Sequence, residues 1–136
     1  MMELELYIDG ASKGNPGPSG VGVVICRDGE TVKNISNYIG STTNNVAEYT
    51  ALIHGLQEAL HMKAQVLKIN TDSQLLYRQI KRLYKVRNQN ILALFTQAMH
   101  LMAAFKKIEM RNIPREDNCG ADKLATQAIN KALRER

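Results

Sequence analysis

Cysteine is almost missing from this 136-residue chain: Cys26 and Cys119 stand far apart and form no C-x-x-C pattern. Neither a disulfide framework nor a thiolate zinc site can be built from them, and both are expected to be small buried or half-buried thiols. Histidine is almost as scarce. His54 and His61 fall on one helical segment and His100 on another, with no serine or cysteine arrangement beside them that would support nucleophilic catalysis. No apolar run reaches membrane-spanning length, and the opening "MMELELYIDG" carries acids where a secretion signal needs a basic start and an apolar stretch. These absences predict a soluble, cytoplasmic protein with no membrane partner. The length predicts a single domain over residues 1–136, able to bury roughly two-thirds of the surface of its unfolded chain.

What the chain does have is positive charge, net +5, and its placement says more than its size. Lys63, Lys68, Arg78, Lys81, Arg82, Lys85 and Arg87 crowd the stretch from His61 to Arg87, where Asp72 is the one acid. A basic stripe is commonly just a solvated helix face. An acid isolated inside one points instead to a polyanion gripped by the cations around a carboxylate with a separate task.

The hydrophobic pattern organises the rest. "ELELYID" alternates strictly, Leu4, Leu6 and Ile8 against Glu5, Tyr7 and Asp9, which is a strand. "GVGVVICR" and "TVKNISNYIG" read as two more, joined by a tight turn at Asp28 and Gly29. From residue 42 the period becomes helical, with Tyr49, Leu52, Ile53, Leu56 and Leu60 on one stripe and Thr43 or Asn44 as N-cap. "VLKINTD" is a fourth strand and "SQLLYRQIKRLY" a helix. "QNILALFTQAMHLMAAFK" is another helix, with Ile91, Leu94, Phe95, Ala98, Leu101 and Met102 as its core side. "KIEMRNI" is the fifth strand and "GADKLATQAINKALRE" the last helix. Three strands, helix, strand, two helices, strand, helix predicts an α/β fold: a mixed five-stranded sheet, three antiparallel strands then parallel crossovers, flanked by about four helices.

Asp9 and Asp72 each end a strand, and if those strands are parallel neighbours their carboxylates meet at the sheet's carboxyl edge. Taken singly, Asp72 could merely cap the helix that follows and Asp9 could merely begin a turn. Glu48 in the first helix and Asp122 in the last lie on the border of the apolar stripe, and for both the plain alternative is a carboxylate that complements the helix dipole. Four convergent carboxylates without a cysteine or histidine cluster are nevertheless the donor set of hard divalent cations. Mg²⁺ held by such acids reverses their repulsion of a phosphodiester, and a pair of ions suits in-line displacement at phosphorus. "DGASKGNPGPSG" is too long for a minimal hairpin turn and matches no dinucleotide or Walker fingerprint, so it reads as a rigid or functional loop. Thr43, Asn44, Asn45, Ser73 and Gln74 sit beside Glu48 and Asp72; each could cap a helix, and as a group they suit sugar hydroxyls and base edges.

Together, "YIDGASKGNPGPSGVGVVI", "TTNNVAEYTALIHGLQEAL", "INTDSQLLYRQI" and "PREDNCGADKLA" closely resemble the type 1 ribonuclease H family, in the same order and over nearly the whole chain. The resemblance implies the ribonuclease H-like fold and endonucleolytic cleavage of the RNA strand of an RNA/DNA hybrid, leaving 5′-phosphate and 3′-hydroxyl ends. It implies that Asp9, Glu48, Asp72 and Asp122 are the catalytic, metal-binding carboxylates, with Asp9 bridging two Mg²⁺ ions in the substrate complex and Mn²⁺ as a substitute. Asn15, Asn44, Asn45 and Gln74 match positions that read the minor groove and ribose hydroxyls, and Thr43 matches a contact to a DNA-strand phosphate. Such contacts select a mixed duplex by shape rather than by sequence. A monomer is expected.

Two departures from the family pattern stand out. Residues 111–121 lack the histidine that many members carry before the last helix, Arg115 being the nearest stand-in, and the basic protrusion of some members is absent. The chain therefore resembles the histidine-lacking branch. A hybrid-binding protein with weak or no catalysis is the alternative, although a pure binder gains nothing from acids facing phosphate. A proofreading-type exonuclease would want an Asp-x-Glu pair where Gly10 and Ala11 follow Asp9. In "IPREDNCGADKLA", Glu116 and Asp117 are expected to face solvent and Asp122 to serve the site.

Overall fold

A computed structural model describes residues 1–135. The strict alternation at the start becomes strand β1 (Glu3–Ser12), whose Leu4, Leu6 and Ile8 are fully buried, each contributing about 1.5–3 kcal/mol by leaving water. β2 (Gly17–Arg27) and β3 (Glu30–Thr42) follow as an antiparallel hairpin. Asp28 and Gly29 turn it with φ of 52° and 80°, the paired positive angles of a two-residue turn. Helix α1 (Asn44–His61) begins at Thr43, whose Oγ1 accepts from the Val46 amide at 3.3 Å. After β4 (Val66–Thr71) come α2 (Gln74–Ile80), α3 (Gln89–Met102), β5 (Lys107–Asn112), a 3₁₀ turn at Arg115–Asp117 and α4 (Cys119–Arg134).

The sheet order is β3-β2-β1-β4-β5, antiparallel among the first three strands and parallel from β1 through β4 to β5, as the element order predicted. β1 is central, and α1 and α4 take opposite faces. Both helices lie very close to the sheet because glycine lets them. A Cβ on Gly10 would stand 2.2 Å from the Ala47 carbonyl carbon of α1, and one on Gly22 would stand 2.1 Å from the Ala121 oxygen of α4. No described helix is long and apolar enough to cross a membrane.

Several expectations need correction. The long glycine-proline loop shrinks to residues 13–16, because Gly17, Pro18 and Ser19 pair as strand and the Lys13 amide donates to the Pro18 carbonyl at 2.8 Å. The helix read through Tyr84 stops at Ile80: Arg82 turns left-handed at φ 60°, and the amides of Leu83 and Tyr84 both bond back to the Arg78 carbonyl. In α3 only Ile91 and Ala98 are buried; Leu94, Phe95, Leu101 and Met102 are partly covered, since α3 packs on α1 rather than on the sheet. Cys119 is exposed and Cys26 half-buried.

Candidate active site

Parallel pairing sets Ile8 beside Thr71, so the residues that follow, Asp9 and Asp72, come together where β4 ends. The expectation that Asp9 ends its strand is corrected: β1 runs on to Ser12, because residues 9–12 keep pairing with β2 after β4 has stopped. Asp72 is not the cap of α2. Ser73 has that role, its Oγ accepting from the Leu76 amide at 3.1 Å, which leaves the Asp72 carboxylate free of the helix start. Glu48 arrives from α1 on one face of the sheet, and the Gly10 amide donates to its Oε1. The missing side chain at Gly10 makes this approach possible. Asp122, in the first turn of α4, arrives from the other face.

Asp9, Glu48 and Asp72 each offer an oxygen within 4.8 Å of the others. Asp9 is 6% exposed and Glu48 4%, while Asp72 is half-buried. Asp122 stands outside that close group but lines the same cleft, of about 370 Å³, as do Asn44, Ser73 and Arg115. Burial pushes the Asp9 carboxyl well above the usual carboxylate range, and the neighbouring Glu48 charge adds to the rise. Burial also raises Glu48, partly offset by the Gly10 hydrogen bond. Acids crowded so tightly in little water are costly as bare anions. An all-oxygen donor set of this kind fits a hard divalent cation, which removes the repulsion that protons would otherwise remove.

A pH-dependent stability follows. Folded-state values raised above the ordinary 3.8 and 4.5 mean that the folded, metal-free protein holds extra protons. The associated stability is full below about pH 4 and is lost as pH rises through the raised values. Added Mg²⁺ should therefore raise the melting temperature more at pH 8 than at pH 5.5; equal shifts at the two values in a thermal scan would contradict this reading.

The polar candidates divide into two groups. Asn15, Thr43, Asn44 and Asn45 gather where the β1–β2 loop meets the start of α1, with Asn15 Oδ1 accepting from the Asn44 amide at 3.0 Å. Gln74 is exposed at the first position of α2, separate from them in the chain and on another element. Arg115 is exposed in the 3₁₀ turn and lines the cleft. Glu116 and Asp117 are exposed and do not line it.

One residue at the site escaped the sequence reading. Asn118 is 1% exposed, and its Nδ2 donates to the Ile8 carbonyl at 2.8 Å and to Asp72 Oδ2 at 3.1 Å. An asparagine just before a helix ordinarily signals a cap, which is why nothing in the sequence marked it.

The family model described as reverse transcriptase-like matches residues 7–128. A bifunctional protein of Mycobacterium tuberculosis is 40% identical over 133 residues, covering 96% of this chain and 36% of that protein. The chain thus spans about a third of the length of that relative. The solved ribonuclease H1 of the halophilic archaeon Halobacterium salinarum superposes with a TM-score of 0.93 at 35% identity, covering 95% of this chain and 98% of that one. A ribonuclease H1 isolated from compost, solved in complex with an RNA/DNA hybrid, gives 0.90 at 41% identity, covering 96% and 99%. The extent of these matches shows that the chain belongs to the reverse transcriptase-like family, among the type 1 ribonucleases H.

Proposed function

We propose that this chain is a metal-dependent endoribonuclease that cleaves the RNA strand of RNA/DNA hybrids, leaving 5′-phosphate and 3′-hydroxyl ends. The observation that carries the proposal is the convergence of Asp9, Glu48 and Asp72 within 4.8 Å at the carboxyl edge of two parallel strands. The hybrid seen with the compost ribonuclease H1 supports the choice of substrate.

Asp9, Glu48 and Asp72, with Asp122 lining the same cleft, would hold two Mg²⁺ ions in the substrate complex, or Mn²⁺ in their place. Such ions, when bound, lower the pKa of an attacking water and stabilise charge on the leaving oxygen. The chain's own residues do the rest. Asn15, Asn44, Asn45 and Gln74 present amide donors and acceptors that suit ribose hydroxyls and minor-groove base edges, which favours an RNA-containing duplex. Thr43 offers a hydroxyl to a DNA-strand phosphate. Arg115, on the cleft wall, supplies the cation nearest a departing phosphate where other members carry a histidine. The cations from Lys81 to Arg87 add attraction that carries no sequence information.

A labelled hybrid, single-stranded RNA and duplex RNA, each incubated in Mg²⁺ and in Mn²⁺, test this directly. Cleavage confined to the RNA strand of the hybrid, and lost in a folded Asp72→Asn variant, is the expected result. Undiminished cleavage by that variant would remove the site assignment, and tight hybrid binding without cleavage at any metal concentration would favour a binding role.

A further inference from the structure

We propose that Asn118 is a positioning residue for the carboxylate cluster, holding the Asp72 carboxylate and tying the start of α4 to the end of β1; this rests on the reading above that the cluster binds divalent cations. Asn118 occupies the N-cap position of α4 but makes no side-chain cap bond. Its side chain turns inward instead. The two protons of Nδ2 go to the carbonyl of Ile8, immediately before Asp9, and to Asp72 Oδ2. Its own carbonyl accepts from the Asp122 amide at 3.1 Å. One residue therefore touches the segments that carry three of the four acids.

The chemistry of the position requires an amide. Both partners are pure acceptors, so the group facing them has to donate twice and carry no negative charge. Aspartate would set acceptors against acceptors, and serine has a single, shorter-reaching proton. Among the described residues, Asn118 Oδ1 is also buried with no hydrogen-bond partner. A residue present only to cap α4 would turn that oxygen toward the helix amides, where it would be satisfied. The orphaned oxygen marks a side chain held by its nitrogen, in a place where burial is otherwise costly. With one Asp72 oxygen fixed by this donor, the carboxylate is oriented before a cation arrives.

The test measures Mn²⁺ affinity by calorimetry in the parent chain, Asn118→Ala and Asn118→Ser, each also in an Asp72→Asn background. Melting curves, kcat and the KM for hybrid are measured alongside. Loss of an outer-shell partner predicts Mn²⁺ binding weaker by about 10-fold or more, a lower kcat and a hybrid KM changed by less than about twofold. Serine should recover melting temperature by capping α4 without recovering affinity, and neither change should weaken Mn²⁺ binding further once Asp72 is Asn. If Asn118→Ala melts below the assay temperature, Asn118→Ser carries the comparison. The proposal is overturned by unchanged affinity in a folded variant, by serine restoring affinity together with stability, or by an equal loss in the Asp72→Asn background. A parent chain that binds no Mn²⁺ overturns the functional reading and this one with it, whereas normal parent binding with undiminished variants overturns this one alone.

Discussion

Asp9→Asn is expected to lower hybrid cleavage by about 10³-fold or more, which corresponds to losing about 4 kcal/mol of transition-state stabilisation. The same change should raise the melting temperature of the metal-free protein by several degrees. The two effects share one cause. Asp9 is nearly buried and lies within 4.8 Å of both Glu48 and Asp72, so its negative charge is useful with a cation and costly without one. Asparagine keeps the shape and removes the charge, and with it the burial penalty and the repulsion from Glu48 that raise the Asp9 carboxyl. Opposite signs in activity and stability distinguish a functional acid from a structural one. A variant that loses both together would show instead that Asp9 holds the fold, and a thermal scan in chelator beside the cleavage assay decides between the two.

Gly10→Ala should be nearly as damaging, through packing rather than charge. The added carbon would sit 2.2 Å from the Ala47 carbonyl carbon, 2.3 Å from its oxygen and 2.4 Å from the Glu48 amide nitrogen. All three are backbone atoms, so no side-chain rotation relieves the clash and α1 must move off β1. Overpacking of this kind costs about 1–3 kcal/mol or more, equivalent to a fall of about 10 °C in melting temperature. Glu48 moves with the helix, and a displacement of about 1 Å in a catalytic constellation can cost about 10²-fold in rate. A Gly10→Ala variant with parental melting temperature and cleavage would mean that α1 can shift without consequence.

Much of the site was legible because its acids obey local rules. Asp9 follows an alternating run, Asp72 follows a second strand, and the order of elements made those strands parallel neighbours. Glu48 and Asp122 sat on the borders of apolar stripes whose helices do pack on the sheet. What stayed hidden depended on contacts distant in sequence. Gly17 and Ser19 look like turn formers until they pair with Thr42 and Gly40. The periodicity of α2 continues through Leu83, yet the backbone leaves the helix at Lys81 because Arg82 turns left-handed. Asn118 is the clearest case, since a cap and an inward-facing donor look alike in a sequence and differ only in where the side chain points.

The four acids are contributed by residues 9, 48, 72 and 122, and the central strand that carries the first waits for α4 to bring the last. A chain emerging in order from a ribosome can complete its antiparallel hairpins early, but it cannot close this cleft until α4 docks across β2. Long-range contacts of that kind are the slow part of folding. A chain made only as far as β5 carries three of the acids without the fourth, and the docking of α4 brings the last of them to the cleft.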